Sequence, residues 1–379
     1  MSRSMDDGER VIANEGVWSE SEHVLVAGGG SGGHVFPALA VADELAGRGW
    51  QVSWLGRQRG MERELVEPRG LSYYALPAQA IVGRSPVQRG VALLGLGVSA
   101  VRAQRLIRRI DARVVLGSGG FVSAPGVLGA TLARRPTVLL EPNVVPGVAN
   151  RWLSRWATVA AVGAAVSGQA LRCPVRETGV PLRSEFAGPA EPVEASGSLH
   201  VLVLGGSQGA RQLNRLLPAA LSSLSRRSPG LEVTHQAGAD SLQEVTAAYR
   251  DSELEEGKVT VEPFIDDVRA AIGRAHLVVS RAGAITLAEI CAVGRPSLLL
   301  PLQLAGAHQA DNARQLAEAG AAEVLGPEAF TAEAVADALG RITADRERLT
   351  AMGEAALRLA RPRAAHEVAD LIEEVVRAA

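Results

Sequence analysis

The sequence predicts an α/β protein of the doubly wound kind, with two Rossmann-like domains built on parallel sheets and facing each other across a cleft. Three observations carry that expectation. Short apolar runs alternate with longer segments of helical period, the signature of strands joined by crossover helices. The segment HVLVAGGGSGGH (His23–His34) returns as a near copy, HVLVLGGSQGA (His200–Ala210), each a strand running into a glycine turn and then a helix. At 379 residues the chain is also too long for one ordinary core, and two domains of roughly 180 residues suit it better.

Taken in order, residues 1–22 (MSRSMDDGERVIANEGVWSESE) are polar and acidic with no apolar signal core, so they read as a disordered tail. The N-terminal domain, 23–181, has strand candidates at His23–Ala27, Gln51–Leu55, Tyr73–Leu76, Val114–Leu116, Thr137–Leu140 and Thr158–Ala161. Helical stretches such as Pro37–Ala46 and Val87–Ile110 lie between them. The C-terminal domain, 182–361, restarts the pattern at Leu199–Leu204. It continues through Glu232–His235, Val259–Val261, Leu277–Val279 and Ser297–Leu300. GPAEPVEASGS (Gly188–Ser198) reads as a linker or surface loop, and a last helix, 362–379, is expected to pack back on the first domain.

Composition narrows the function classes. The chain is 47% hydrophobic and 21% charged, ordinary for a globular protein, and no apolar run approaches the roughly 18 residues of a membrane span. Cys173 and Cys291 lack metal-ligand spacing and read as reduced thiols in a cytoplasmic protein. The net charge of −2 hides an uneven distribution: between Pro68 and Arg176 there are only two acids, Asp111 and Glu141, against fourteen arginines. A half this basic should attract an anionic substrate or surface. Lys258 is the only lysine, a bias that reflects genome composition more than mechanism.

Gly28, Gly30 and Gly33 fit G-x-G-x-x-G in the required strand–turn–helix context, where backbone N–H groups and the helix dipole favour phosphate. A dinucleotide enzyme would carry an acid about 20 residues on to hold the ribose. Here the second strand runs into Leu55-Gly56-Arg57, which disfavours NAD but leaves an NADP reading through Arg57 open. A further glycine turn, GSGGFVSAPG (Gly117–Gly126), is either a third ligand loop or a tight turn without a ligand.

GGGSGGHVFPALAVA, VLGSGGFVSAPG, LLEPNVVPGVANRWLSRWA, TGVPLR, VLGGSQGARQLN, PFIDD, SRAGAITLAEI and HQADNA follow one another in the chain. Together they closely resemble the bacterial enzymes of glycosyltransferase family 28 that convert lipid I to lipid II in peptidoglycan synthesis, over about His23 to the C-terminus. The resemblance implies a GT-B fold. It also implies inverting transfer of N-acetylglucosamine (GlcNAc) from UDP-GlcNAc to the C4 hydroxyl of the muramoyl sugar of undecaprenyl-diphospho-MurNAc-pentapeptide.

By the same resemblance Ser31, Gly32 and Gly33 lie near the donor sugar and its diphosphate. Ser207 holds the donor phosphates, and Arg183 reaches the diphosphate. Glu289 binds the ribose hydroxyls, with Ala284, Ile285, Thr286, Leu287 and Ala288 lining that pocket largely through backbone groups. Ile265 meets uracil through its main chain, and Gln309 and Asn143 meet the GlcNAc. Two departures stand out: LQLAGAHQADNA lacks an acid that many relatives carry before the His-Gln pair, and Glu141–Asn143 has proline where some have glutamine.

The reaction needs a group to take the proton of the attacking hydroxyl. His34 ends the first glycine loop, and its ordinary pKa near 6.5 suits base work at neutral pH; a helix N-terminus would keep it neutral. The alternative is a histidine that only hydrogen-bonds the loop or a sugar, and Glu141 is the second candidate base. No D-x-D motif or histidine cluster suggests a tightly bound metal, although a divalent ion could assist indirectly, and no cofactor is expected. Leaving-group charge then falls to Arg183, Ser207 and helix N-termini.

The expected membrane face runs from Arg84 to Arg109, with Arg84, Arg89 and Arg102 around Leu93, Leu94 and Leu96, and with Arg151, Trp152, Arg155 and Trp156 beside it. An amphipathic core helix with a basic edge is the plainer reading of the same pattern. The implied setting is peripheral, on the cytoplasmic face of the cell membrane. UDP-GlcNAc, lipid I and an anionic inner-membrane surface are the implied partners, with cell-wall synthesis and division proteins beyond them and no nucleic acid. The competing classes are an NADP-dependent oxidoreductase, a related GT-B enzyme such as a UDP-GlcNAc epimerase, and a non-catalytic UDP-sugar-binding protein.

Overall fold

A computed structural model of the chain describes residues 22–76, 86–188, 198–206, 209–254, 257–302 and 308–379. Two compact units emerge. Unit 1 holds the chain up to Glu141, Pro146–Glu177 and Ala365–Ala379; unit 2 holds Pro142–Val145 and Thr178–Ala364.

Unit 1 contains β1 (His23–Ala27), α1 (Gly32–Gly47), β2 (Gln51–Gly56), α2 (Met61–Val66), β3 (Ser72–Ala75) and α3 (Pro86–Arg109). It continues with β4 (Val114–Gly117), α4 (Ala124–Ala133), β5 (Thr137–Glu141), α5 (Val148–Leu153), β6 (Val159–Val162) and β7 (Val175–Glu177). The seven strands are parallel in the order β3-β2-β1-β4-β5-β6-β7. Because both faces are covered, the central strands are continuous apolar runs and not alternating ones. Val24 and Val26 of β1 pack with Leu39 and Leu45 of α1, while Leu25 and Ala27 pack with Ala103 and Ile107 of α3.

Unit 2 contains β8 (His200–Leu204), α6 (Arg211–Ser225), β9 (Glu232–Gln236), α7 (Leu242–Arg250), β10 (Val259–Glu262), α8 (Val268–Arg274) and β11 (Leu277–Ser280). After these come α9 (Ala284–Val293), β12 (Ser297–Leu299), α10 (Gln309–Glu318), β13 (Ala322–Val324), α11 (Ala332–Thr343) and α12 (Arg346–Leu359). Its parallel order is β10-β9-β8-β11-β12-β13. Val201 and Val203 face the cluster with Leu217 and Leu339, and Leu202 and Leu204 the one with Ile272 and Ile290.

The last helix, α13 (Ala364–Arg377), buries Val368, Leu371, Ile372 and Val376 in the core of unit 1. Arg48, at the end of α1, fixes its polar face: Nη1 lies 2.7 Å from Asp370 and 3.2 Å from Glu373. Sequence pattern marks every strand except β7 and β13. Those two are three-residue edge strands (Val-Arg-Glu and Ala-Glu-Val), exposed or half-buried, with no apolar run to announce them. α1 begins at Gly32, ahead of the expected Pro37, because the glycine turn itself closes into the first helical turn. No helix among the described residues is long and apolar enough to cross a membrane.

Candidate active site

In each unit the strand order reverses beside the first strand, β1 or β8, and open parallel sheets bind ligands beyond the carboxyl ends of strands at that point. The glycine turns occupy these positions.

In unit 1 the turn is tied down on all sides. Gly28 donates its N–H to Leu55 O at 3.1 Å, and Trp54 Nε1 donates to Gly28 O at 3.0 Å. Beneath it lies a carboxylate that sequence reasoning missed. Glu62 of α2 is fully buried; its Oε2 accepts Gly30 N–H at 3.3 Å, and its Oε1 accepts Arg57 N–H and Nε–H at 3.2 and 3.0 Å. Burial alone would raise the Glu62 carboxyl, but the Arg57 guanidinium and the amides of Arg57 and Gly30 hold it below the ordinary carboxylate range. The arginine that left an NADP reading open is thus engaged by Glu62.

His34 sits in the first turn of α1, its N–H bonded to Ser31 O at 3.0 Å. Its imidazole packs on the second glycine turn of the same unit. A Cβ at Gly119 would lie 2.8 Å from His34 Nδ1, and one at Gly120 3.4 Å from His34 Cδ2. Both glycines also have left-handed backbone, φ +94° and +67°. The turn Gly117–Gly126 therefore makes room for the histidine ring. Ser31 and Gly33 are exposed beside it and Gly32 is half-buried; Ser31 is the N-cap residue of α1, with no side-chain capping bond.

The same Cβ position at Gly119 is 3.3 Å from Asn150 Nδ2. Asn150, buried on α5, donates to Leu140 O and to Glu141 Oε2, both at 3.0 Å. Glu141 Oε2 also accepts Gly147 N–H at 2.9 Å. The buried Glu141 carboxylate thus shapes the return from β5 to α5, while Asn143 lies in unit 2, where Asn312 Nδ2 donates to its Oδ1 at 3.3 Å.

On the surface of unit 1, α3 exposes Leu94 (75%), Val98 (55%) and Arg102. Leu96 instead packs inward against the cluster of Val127 and Leu153. Arg84 lies outside the described residues, as do the side chains of Arg89 and Leu93. Trp152 and Trp156 stack edge to face, 4.9 Å apart. Val148, Arg151, Trp152, Arg155, Ala170 and Arg172 line a surface pocket of about 310 Å³.

In unit 2 the turn after β8 approaches backbone closely. Gly206 and Gly209 have φ of +77° and +71°, and a Cβ at Gly209 would collide with the Ala237 carbonyl. Ser207 lies outside the described residues. The support below this turn is neutral. Asn214 Nδ2 donates to Ala237 O at 2.8 Å, His235 Nε2 donates to Asn214 Oδ1 at 3.1 Å, and Tyr249 OH donates to His235 Nδ1 at 2.9 Å. Burial lowers His235 to about 3, so the ring is uncharged.

Glu289 of α9 is mostly buried, which raises its carboxyl to about 7 against the opposing pull of Arg183. Arg183 Nη2 is 3.6 Å from Glu289 and 3.2 Å from Glu185, and the guanidinium lies 5.6 Å from the Phe186 ring. Ala284, Ile285, Thr286 and Ala288 are half-buried around the start of α9, whereas Leu287 points into the core. Ile265 is also a core side chain, leaving only its main chain to meet a ligand. Gln309 Oε1 accepts Leu302 N–H at 2.9 Å, and Asn312 Oδ1 accepts Val144 N–H at 2.9 Å.

Residues 24–162 match the glycosyltransferase family 28 N-terminal domain, and residues 200–375 match the C-terminal domain of the same family. A UDP-N-acetylglucosamine--N-acetylmuramyl-(pentapeptide) pyrophosphoryl-undecaprenol N-acetylglucosamine transferase from Ectopseudomonas mendocina is 42% identical over 94% of this chain and 99% of that relative. A transferase of the same description from Solibacter usitatus is 38% identical over 93% and 96%. The crystal structure of Acinetobacter baumannii MurG matches with a TM-score of 0.78 at 33% identity, covering 93% of this chain and 99% of that one. A putative UDP-N-acetylglucosamine 2-epimerase from Listeria monocytogenes, at 12% identity and a TM-score of 0.69, shares the fold alone.

Proposed function

The chain belongs to glycosyltransferase family 28, and from that premise we propose that it transfers GlcNAc from UDP-GlcNAc to N-acetylmuramyl-(pentapeptide) pyrophosphoryl-undecaprenol, the lipid I to lipid II step of peptidoglycan synthesis. What carries the reading is a likeness to transferases of that description that runs through both units at once. An oxidoreductase using only the first glycine turn would leave the second unit unexplained, and its Arg57 is already paired with Glu62.

In this reading His34 takes the proton of the acceptor C4 hydroxyl as that oxygen bonds to the anomeric carbon. The C1–O bond to the β-phosphate breaks and its electron pair leaves with UDP, inverting the centre. Glu62, Gly119 and Asn150 are positioning residues that fix the loop and the ring. Glu141 Oε2 accepts hydrogen bonds from Gly147 and Asn150, which suits a structural carboxylate better than a base. On the donor side Glu289 accepts the ribose hydroxyls, the Ile265 main chain meets uracil, and Ser207 and the first-turn amides of α9 meet the phosphates. Gln309 and Asn143 meet the sugar.

The proposal extends to a peripheral position on an anionic cytoplasmic leaflet. Leu94, Val98 and Arg102 of α3 and the tryptophan–arginine surface of α5 combine apolar wedges with positive charge. Incubation with labelled UDP-GlcNAc and a lipid I analogue should yield UDP and a lipid-linked disaccharide in equal amounts. UDP release with no disaccharide, or no release at all, would overturn the reading.

A further inference from the structure

Pro142–Val145 follows β5 in the chain yet belongs to unit 2, and one buried side chain of that unit grips it. Asn312 of α10 accepts the Val144 N–H at Oδ1 (2.9 Å) and donates from Nδ2 to the Ala282 carbonyl at 3.2 Å. Both partners are backbone groups of fixed sense, one a donor and one an acceptor, so they leave the Asn312 amide a single orientation. Its Nδ2 also faces the Asn143 side chain at 3.3 Å, and a donor there can be received only by the Asn143 oxygen, Oδ1. The orientation of one amide is thereby passed to the next.

The consequence lies in how Asn143 meets a ligand. With Oδ1 turned to Asn312, the side chain addresses a sugar oxygen through Nδ2, as a donor. The two backbone bonds of Asn312 would anchor the segment by themselves. The third contact goes to the one side chain of the segment that the donor reading assigns to GlcNAc. Gln309, assigned to the same sugar, stands three residues before Asn312 and so on the same face of α10. A carboxylate at position 312 would keep the bond to Val144 but set an acceptor against the Ala282 carbonyl and the Asn143 oxygen. That repulsion favours turning the Asn143 amide over.

Resting on the reading of unit 2 as the UDP-GlcNAc site, we propose that Asn312 is a positioning residue for the donor sugar. It fixes the Asn143 amide with Nδ2 toward GlcNAc, and so strengthens the hold on the sugar while leaving that on uridine and the phosphates unchanged.

The test is to titrate UDP and UDP-GlcNAc into the wild-type chain, Asn143→Ala, Asn312→Ala, Asn312→Asp and the double variant Asn143→Ala with Asn312→Ala. Each single alanine should weaken UDP-GlcNAc by about 3- to 10-fold, the size of one lost hydrogen bond, while UDP stays within about twofold. Once Asn143 is alanine, Asn312→Ala should cost little more, because its effect passes through the side chain already removed. Asn312→Asp should lose the sugar as Asn312→Ala does. Wild-type UDP-GlcNAc affinity in Asn312→Ala overturns the proposal, and so do fully additive losses in the double variant. A matched loss of UDP overturns it too, since the effect would then run through Ala282 and not through Asn143. If Asn312→Ala does not fold, wild-type UDP-GlcNAc affinity in Asn312→Asp overturns it as well. A wild-type chain that binds neither nucleotide would instead sink the donor-site reading itself.

Discussion

The turns after β1 and β8 share most of their sequence, yet a buried ion pair supports the first and a neutral hydrogen-bonded chain the second. At the first, a buried carboxylate, Glu62, accepts the Gly30 N–H, so part of the loop's anion-binding capacity is already used by the protein. At the second, the support is the neutral Asn214–His235–Tyr249 chain. A glycine turn determines how closely backbone can approach a ligand. Which ligand it accepts is decided by side chains delivered from other elements; here they hold the first turn beside His34, and in the proposed function they leave the second for the donor phosphates.

The sharpest way to break this contrast is at His34. His34→Gln should lower turnover by roughly 10²- to 10⁴-fold, the usual worth of a general base, and leave UDP-GlcNAc affinity nearly unchanged. Single-turnover kinetics beside equilibrium binding would check both halves. Full turnover near neutral pH would remove His34 from the chemistry. Gly119→Ala should act in the same direction, since its Cβ would press on the ring and its backbone is left-handed.

Glu62→Gln addresses the mount. It leaves the Arg57 guanidinium facing a neutral amide and weakens the bond to Gly30, for an expected loss of about 1–3 kcal/mol in unit 1. Because the folded carboxyl is held below its ordinary range, its stabilisation is present above the unfolded pKa and fades as pH falls through the folded one. Denaturant melts of wild type and variant should therefore converge in acid. Turnover should drop while UDP affinity holds; a matching loss of UDP affinity would contradict the division of labour between the turns.

Glu62 also marks the limit of what the sequence disclosed. Strands with a run of apolar residues, both glycine turns and the place of His34 were legible, because periodicity and local spacing encode them. The expected ribose acid was sought at the end of β2, where a linear motif would put it. The carboxylate that reaches this loop comes instead from α2, brought back by the turn at Gly60, whose own Cβ position lies within 2.7 Å of Glu62 Oε1. Asn312 was missed for a similar reason: its partners Val144, Asn143 and Ala282 lie far from it in sequence, and no spacing rule records that.

The donor side gives a pH signature. With Glu289 raised to about 7, UDP affinity should strengthen as pH climbs from 6 to 8, because only the carboxylate can accept from both ribose hydroxyls. The same shift makes ionising Glu289 cost fold stability, so unit 2 should lose stability as pH rises from the ordinary carboxylate range to about 7 and level off above it. Glu289→Gln should bind UDP about tenfold more weakly at pH 8 and flatten the pH profile.

The smallest and most discriminating effect belongs to Arg183. Its guanidinium favours the charged form of Glu289, so Arg183→Gln should move the midpoint of the UDP pH profile upward. Near pH 7 affinity should fall about two- to fivefold, and at pH 8.5 and above most of it should return as the carboxylate ionises regardless. A loss of UDP affinity independent of pH would mean that Arg183 touches the diphosphate directly.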